Sequence, residues 1–115
     1  MTIARHNAGP RMSGAVVHNN TVYLAGQVAA DGSAGVKGQT EQVLKKIDDL
    51  LKAAGTDKSK LLSATIFLAD IRGFDEMNAA WDAWVVAGST PGRATVEARL
   101  ANSKYLVEIV AIAAV

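Results

Sequence analysis

The sequence predicts an α+β fold, a single mixed β-sheet with two helices packed on one face. Three observations predict it. Two stretches repeat apolar residues at helical spacing, Val43-Leu44-Ile47-Leu50-Leu51-Ala54 and Phe74-Met77-Trp81-Trp84-Val85, and each has one apolar side. The remaining stretches read as strands, and the element order is β-β-β-α-β-α-β-β. The strand expected at 105–114 is apolar on both faces, with Tyr105, Val107, Ile109 and Ala111 on one and Leu106, Val110, Ile112 and Ala114 on the other. Two helices cover one face of a sheet, so the second face calls for a partner subunit.

The elements follow in order. Residues 2–6 are a short first strand, ended by the loop signal Asn7-Ala8-Gly9-Pro10. Residues 15–18 and 21–25 form a hairpin around Asn19-Asn20, because asparagine tolerates the positive φ of a two-residue turn. Residues 30–38 carry three glycines and read as a flexible loop. The first helix runs from Gln39 or Thr40 to Ala54, with Gly55 as the residue that ends it. Its polar face offers the pairs Glu41–Lys45 and Asp48–Lys52. A polar connector leads to a strand at 61–68 with Leu62, Ala64, Ile66 and Leu68 on one face. The second helix spans 74–86, with Asp75 and Glu76 in the first turn, where the helix dipole favours acids. Strands at 94–99 and 105–114 complete a single domain over 1–115.

Composition bounds the function. Half of the 115 residues are hydrophobic and ten more are glycine, above the usual apolar share of about 45–50%. A small domain cannot hide so much apolar surface alone, which again predicts a homo-oligomer. The net charge is +1 and the basic residues are dispersed, so no nucleic-acid surface is expected. There is no cysteine, hence no disulfide or thiol chemistry. With two histidines and scattered acids, no metal site is expected. The polar N-terminus and the short C-terminal apolar run, broken by Glu108, predict no membrane segment and a cytoplasmic protein.

Two charges stand out against apolar strands. Arg93 follows the Pro91-Gly92 turn, and its planar guanidinium fits a carboxylate. It either clamps a small organic acid or pairs with Glu108 or Glu97. Glu108 interrupts the last strand. Burial would raise its pKa and a nearby arginine would lower it, so the sequence does not give the sign. Asn78 breaks the apolar face of the second helix, either toward a ligand or toward a loop. Gln27, after Gly26, either offers its amide to a ligand or caps its strand. Trp81 and Trp84 read as core or interface.

These same residues carry a resemblance. The stretches Ala15 to Gln27, Gln39-Thr40-Glu41-Gln42-Val43-Leu44, Ala54-Gly55, Ile66-Phe67-Leu68-Ala69-Asp70, Met77-Asn78-Ala79-Ala80-Trp81, Pro91-Gly92-Arg93-Ala94-Thr95-Val96-Glu97 and Val107-Glu108-Ile109 resemble the Rid family, the YjgF-like reactive intermediate deaminases. The resemblance spans nearly the whole chain. It implies a chorismate-mutase-like fold and a homotrimer with three clefts between subunits. It also implies hydrolysis of enamines and imines such as 2-aminoacrylate to 2-oxo acids and ammonia, with no cofactor. On that basis Arg93 holds the substrate carboxylate and Glu108 positions a water and moves its proton. Asn78 and the backbone at Gly92–Arg93 line the cleft. Ala25, Met12 and Thr95 stand where enamine-active members often carry serine, an aromatic residue and cysteine, so these positions are expected to set the substrate range. The alternative is a non-catalytic trimer that binds a small amino or 2-oxo acid for regulation.

Overall fold

Asn19 and Asn20 both take left-handed backbone, with φ of 52° and 60°. They join β2 (Ser13–His18) to β3 (Thr21–Leu24) in the predicted two-residue hairpin. The computed structural model describes residues 2–115. Its other elements are β1 (Ala4–Ala8), α1 (Val36–Ala53), β4 (Leu61–Leu68), α2 (Phe74–Trp84), β5 (Gly92–Glu97) and β6 (Val107–Ala114). The six strands form one sheet in the order β1-β2-β3-β6-β4-β5. The β4–β5 pair is parallel and the other pairs are antiparallel. The α+β class and the mixed sheet are therefore as predicted.

The core lies between the helices and one sheet face. Along β6 the buried residues are Val107, Ile109, Ala111 and Ala113, while Glu108, Val110, Ile112 and Ala114 are half-buried on the other face. Leu44, Ile47 and Leu51 of α1, Met77 of α2 and Ile66 of β4 close the core. Each such side chain contributes roughly 1.5–3 kcal/mol by leaving water. Helix α1 ends as its sequence dictates. Gly55, at φ +85°, donates to Lys52 O, and Thr56 donates to Leu51 O, closing a Schellman cap.

The structure departs from the sequence reading where packing overrides local signals. Helix α1 starts at Val36, not at Gln39 or Thr40. Val36 packs on the core and lies against Gly73, which outweighs the cost of about 1 kcal/mol for Gly38 inside a helix. Gln39 is fully buried: its Nε2 donates to Gly32, Ala34 and Lys104 carbonyls and its Oε1 accepts from Leu106 N. With Leu106 N taken in this way, β6 begins at Val107. The pairing of β4 with β6 shifts register between Leu61 and Ser63, so Leu61 is buried and Leu62 is 53% exposed. Leu62 therefore leaves the face shared by Ala64, Ile66 and Leu68. The surface ion pair of α1 is Lys45–Asp49 at 2.6 Å, and Asp48 instead accepts from Trp84 Nε1 at 3.0 Å.

Candidate active site

Arg93 sits on β5 directly opposite Ala64, and Thr95 opposite Ile66. Both side chains therefore share the sheet face that the helices cover. There the guanidinium meets α2. Its Nη1 donates to Asn78 Oδ1 at 2.8 Å and lies 4.0 Å from Met77 Sδ. Its carbon stands 5.3 Å from the centre of the Trp81 ring and 5.8 Å from that of Phe74. Nε and Nη2 have no hydrogen-bond partner among the described residues and are not sealed from solvent. That pair of N–H groups is the edge of arginine that fits both oxygens of a carboxylate.

No acid of the described chain occupies that edge, because the ion pairs there are Lys45–Asp49 and Asp70–Arg72. Glu97 uses Oε1 to accept from Ile71 N at 3.0 Å. Glu108 lies opposite Phe67, on the sheet face the helices leave uncovered. Arg93 and Glu108 of one chain thus point to opposite sides of the sheet. The residues of the Arg93 cluster that the sequence reading missed, Phe74 and Trp81, stand four residues before and three after Asn78. That spacing puts them on the helix face of Asn78, a signal the sequence held.

Glu108 is seated by backbone. Between β3 and β6, Tyr23 pairs with Ile112, and Gln27 pairs with Ile109. Four steps on one strand meet three on the other, so the chain carries a bulge around Ala25 and Gly26. The bridge is double, with Gln27 N to Ile109 O at 2.9 Å and Ile109 N to Gln27 O at 3.1 Å. It lays Gly26 against the Glu108 side chain, where any Cβ would run into the carboxylate. Ala25, beside Gly26, donates its N–H to Gly14 O at 2.9 Å.

The remaining predicted residues divide between these places. Gln27 shares the face of Ile109, lines a hollow with Asn7, Lys46, Asp49 and Leu50, and spends its amide on Ala25 O at 2.9 Å. Its side chain thus joins neither cluster, while its backbone holds Gly26 in place. Gly92 opens β5 next to Arg93. The Thr95 hydroxyl, on the Arg93 face, is buried without a hydrogen-bond partner among the described residues. Met12 is 61% exposed in the turn between β1 and β2, at the sheet edge farthest from β5. A cavity of about 670 Å³ past the ends of β4 and β5 is lined by Glu97, Arg99 and Tyr105 among others, and includes neither Arg93 nor Glu108. Among the described residues no three His, Asp or Glu groups lie close enough together to hold a metal ion. No helix there is long and apolar enough to cross a membrane.

A family profile described as Endoribonuclease L-PSP matches residues 2–115. The RutC family protein YoaB of Escherichia coli K12 is 52% identical over 115 residues, covering all of both chains. The chain belongs to the YjgF/RutC family. A solved structure of a YjgF family member from Neisseria meningitidis superposes with a TM-score of 0.96 at 45% identity, covering 99% of this chain and 95% of that one. A YjgF/RutC relative from Rattus norvegicus, named 2-iminobutanoate/2-iminopropanoate deaminase, is 34% identical over 107 residues, 88% of this chain and 77% of the relative.

Proposed function

We propose that the chain hydrolyses 2-imino acids, and the enamines that tautomerise to them, to 2-oxo acids and ammonia. The observation that carries this reading is the Arg93 guanidinium, held on α2 with its Nε–Nη2 edge unpaired. The imine deaminase name of the rat relative agrees with it. The substrate carboxylate docks on that edge through two parallel charge-assisted hydrogen bonds. Water adds to the imine carbon, and Glu108 takes one of its protons as the C–O bond forms. That proton passes to the nitrogen, giving a carbinolamine; its hydroxyl proton then follows to the nitrogen, the C–N bond breaks, and ammonia leaves as the carbonyl forms. The imine carbon is already electrophilic, so orientation of water against it supplies the advantage.

Arg93 and Glu108 point to opposite sides of the sheet, so the two roles meet when different subunits supply them. A homotrimer with clefts between subunits satisfies this, with Arg93, Asn78 and Gly92 on one wall and Glu108, Ala25 and Gly26 on the other. Thr95 and Met12 then bear on which imino acids fit.

An amino-acid oxidase can generate imines in situ from a panel of amino acids, with 2-oxo acid release followed over time. The expected result is acceleration over spontaneous hydrolysis for at least one imine, and loss of about 100-fold or more in Arg93→Ala with the oligomer intact. No acceleration across the panel rules out the reading. Stabilisation by 2-oxo acids without turnover would leave a regulatory binding protein instead.

A further inference from the structure

We propose that Trp81 is a positioning residue for Arg93: together with Phe74 it fixes the plane of the guanidinium so that the Nε–Nη2 edge stays presented to an incoming 2-oxo or 2-imino acid. This rests on the reading of Arg93 as the carboxylate clamp and adds what holds the clamp open. The hydrogen bond from Nη1 to Asn78 Oδ1, 2.8 Å long, and the weaker contact of the same nitrogen with Met77 Sδ at 4.0 Å fix one corner of the group. They do not by themselves fix its plane. Ring faces at 5.3 Å and 5.8 Å from the guanidinium carbon remove the remaining freedom, and they attract the cation through their quadrupoles.

Trp81 is itself immobilised. It is 5% exposed, and its ring centre lies 5.4 Å from that of Trp84, with the planes tilted by 51°. The Trp84 indole N–H is tied to Asp48 of α1 at 3.0 Å. Arg93 is thus referenced, through two indoles, to the helix packed beside α2. Phe74 forms the outer wall, since it is 38% exposed where Trp81 is buried. Neither ring offers an acceptor that would compete for the open edge. They fix the charge without consuming its donors, which a carboxylate in the same place would not do.

The test uses the assembled protein and 2-oxobutanoate as the probe. Calorimetry on the unmodified protein should show binding that Arg93→Ala abolishes. Trp81→Leu should weaken binding by about tenfold, and Trp81→Phe by less than about threefold. In imine hydrolysis, Trp81→Leu should raise KM far more than it lowers kcat. A second measurement serves if Trp81→Leu does not fold. The chain has two tryptophans, so Trp84→Phe leaves Trp81 as the sole indole, and its emission should change saturably with 2-oxobutanoate. The same change should be missing in Trp84→Phe/Arg93→Ala. Binding by Trp81→Leu at the unmodified affinity, or a silent indole while calorimetry reports binding, overturns the positioning role and leaves the clamp standing. If the unmodified protein does not bind, or Arg93→Ala binds equally well, the clamp itself fails and the positioning role falls with it.

Discussion

Arg93 reaches its place through side chains: an amide, two aromatic rings and a thioether, all on α2. Glu108 reaches its place through backbone: a bulge, a double bridge and a residue without a side chain. A charge held by several side chains can lose one of them and keep the rest, so its failures are graded. A carboxylate resting against bare backbone is displaced by a single change, because one added methyl group occupies its space. The first device is complete within one chain, whereas the second faces the side of the sheet that the helices leave open.

The sharpest way to break this contrast is Gly26→Ala. Gly26 is not among the residues with positive φ, so alanine fits the backbone and the collision with Glu108 is what it adds. Turnover should fall about 100-fold, the cost of a misplaced group near the chemistry, with 2-oxobutanoate binding kept. In the Glu108→Ala background the same change should cost nothing further, because the clash has gone. A full additional loss there, measured as kcat, would show that Gly26 acts independently of Glu108. Next in size is Asn78→Ala. Losing one hydrogen bond to a charged group should raise KM about tenfold while kcat holds. Combined with Gly26→Ala, the losses in kcat/KM should depart from additivity by more than about 0.5 kcal/mol, since in the proposed cleft both clusters bear on one substrate. Plain additivity would show that the two clusters do not share a site.

The smallest effect concerns the entry to α2. Arg72 donates to the Asp70 carboxylate, lowering its pKa from 3.8 to about 2, and Asp70 also caps the turn Ile71–Gly73 before α2. A lowered folded-state pKa stabilises the protein above the unfolded value, and that contribution is lost as the pH falls toward the folded one. Tm should therefore fall more steeply between pH about 4 and about 2 in the unmodified protein than in Asp70→Asn. Equal slopes would remove Asp70 from the account of how α2 is held.

Local features were legible in the sequence. Asn19-Asn20 gave the hairpin and the apolar spacing gave both helices. Gly55 gave the end of α1, because each signal acts within a few residues. Features that depend on strand register were not legible. Leu62 turns outward because of a shift opposite β6, and the bulge at Ala25–Gly26 puts Gln27 on the Ile109 face. Nothing local marks either event. Arg93 and Glu108 were legible as charges needing partners, but their opposite faces follow from the registers that set Arg93 against Ala64 and Glu108 against Phe67, which the sequence does not state. The role of Trp81 was hidden for another reason. Its spacing fits a core residue, and it is one; what the spacing could not show is which strand side chain lies against its ring.

The sheet order has a consequence for assembly. Strand β6, last of the six in sequence, lies between β3 and β4. Until it emerges from the ribosome, the three-stranded unit β1-β2-β3 and the β4–β5 pair have no strand to join them. Each then presents an unpaired inner edge, the kind of surface that recruits other chains. Joining them requires contacts distant in sequence, which form slowly. The carboxylate proposed to activate water thus rides on the strand that closes the sheet, and a nascent chain cannot acquire that seat before its fold is sealed.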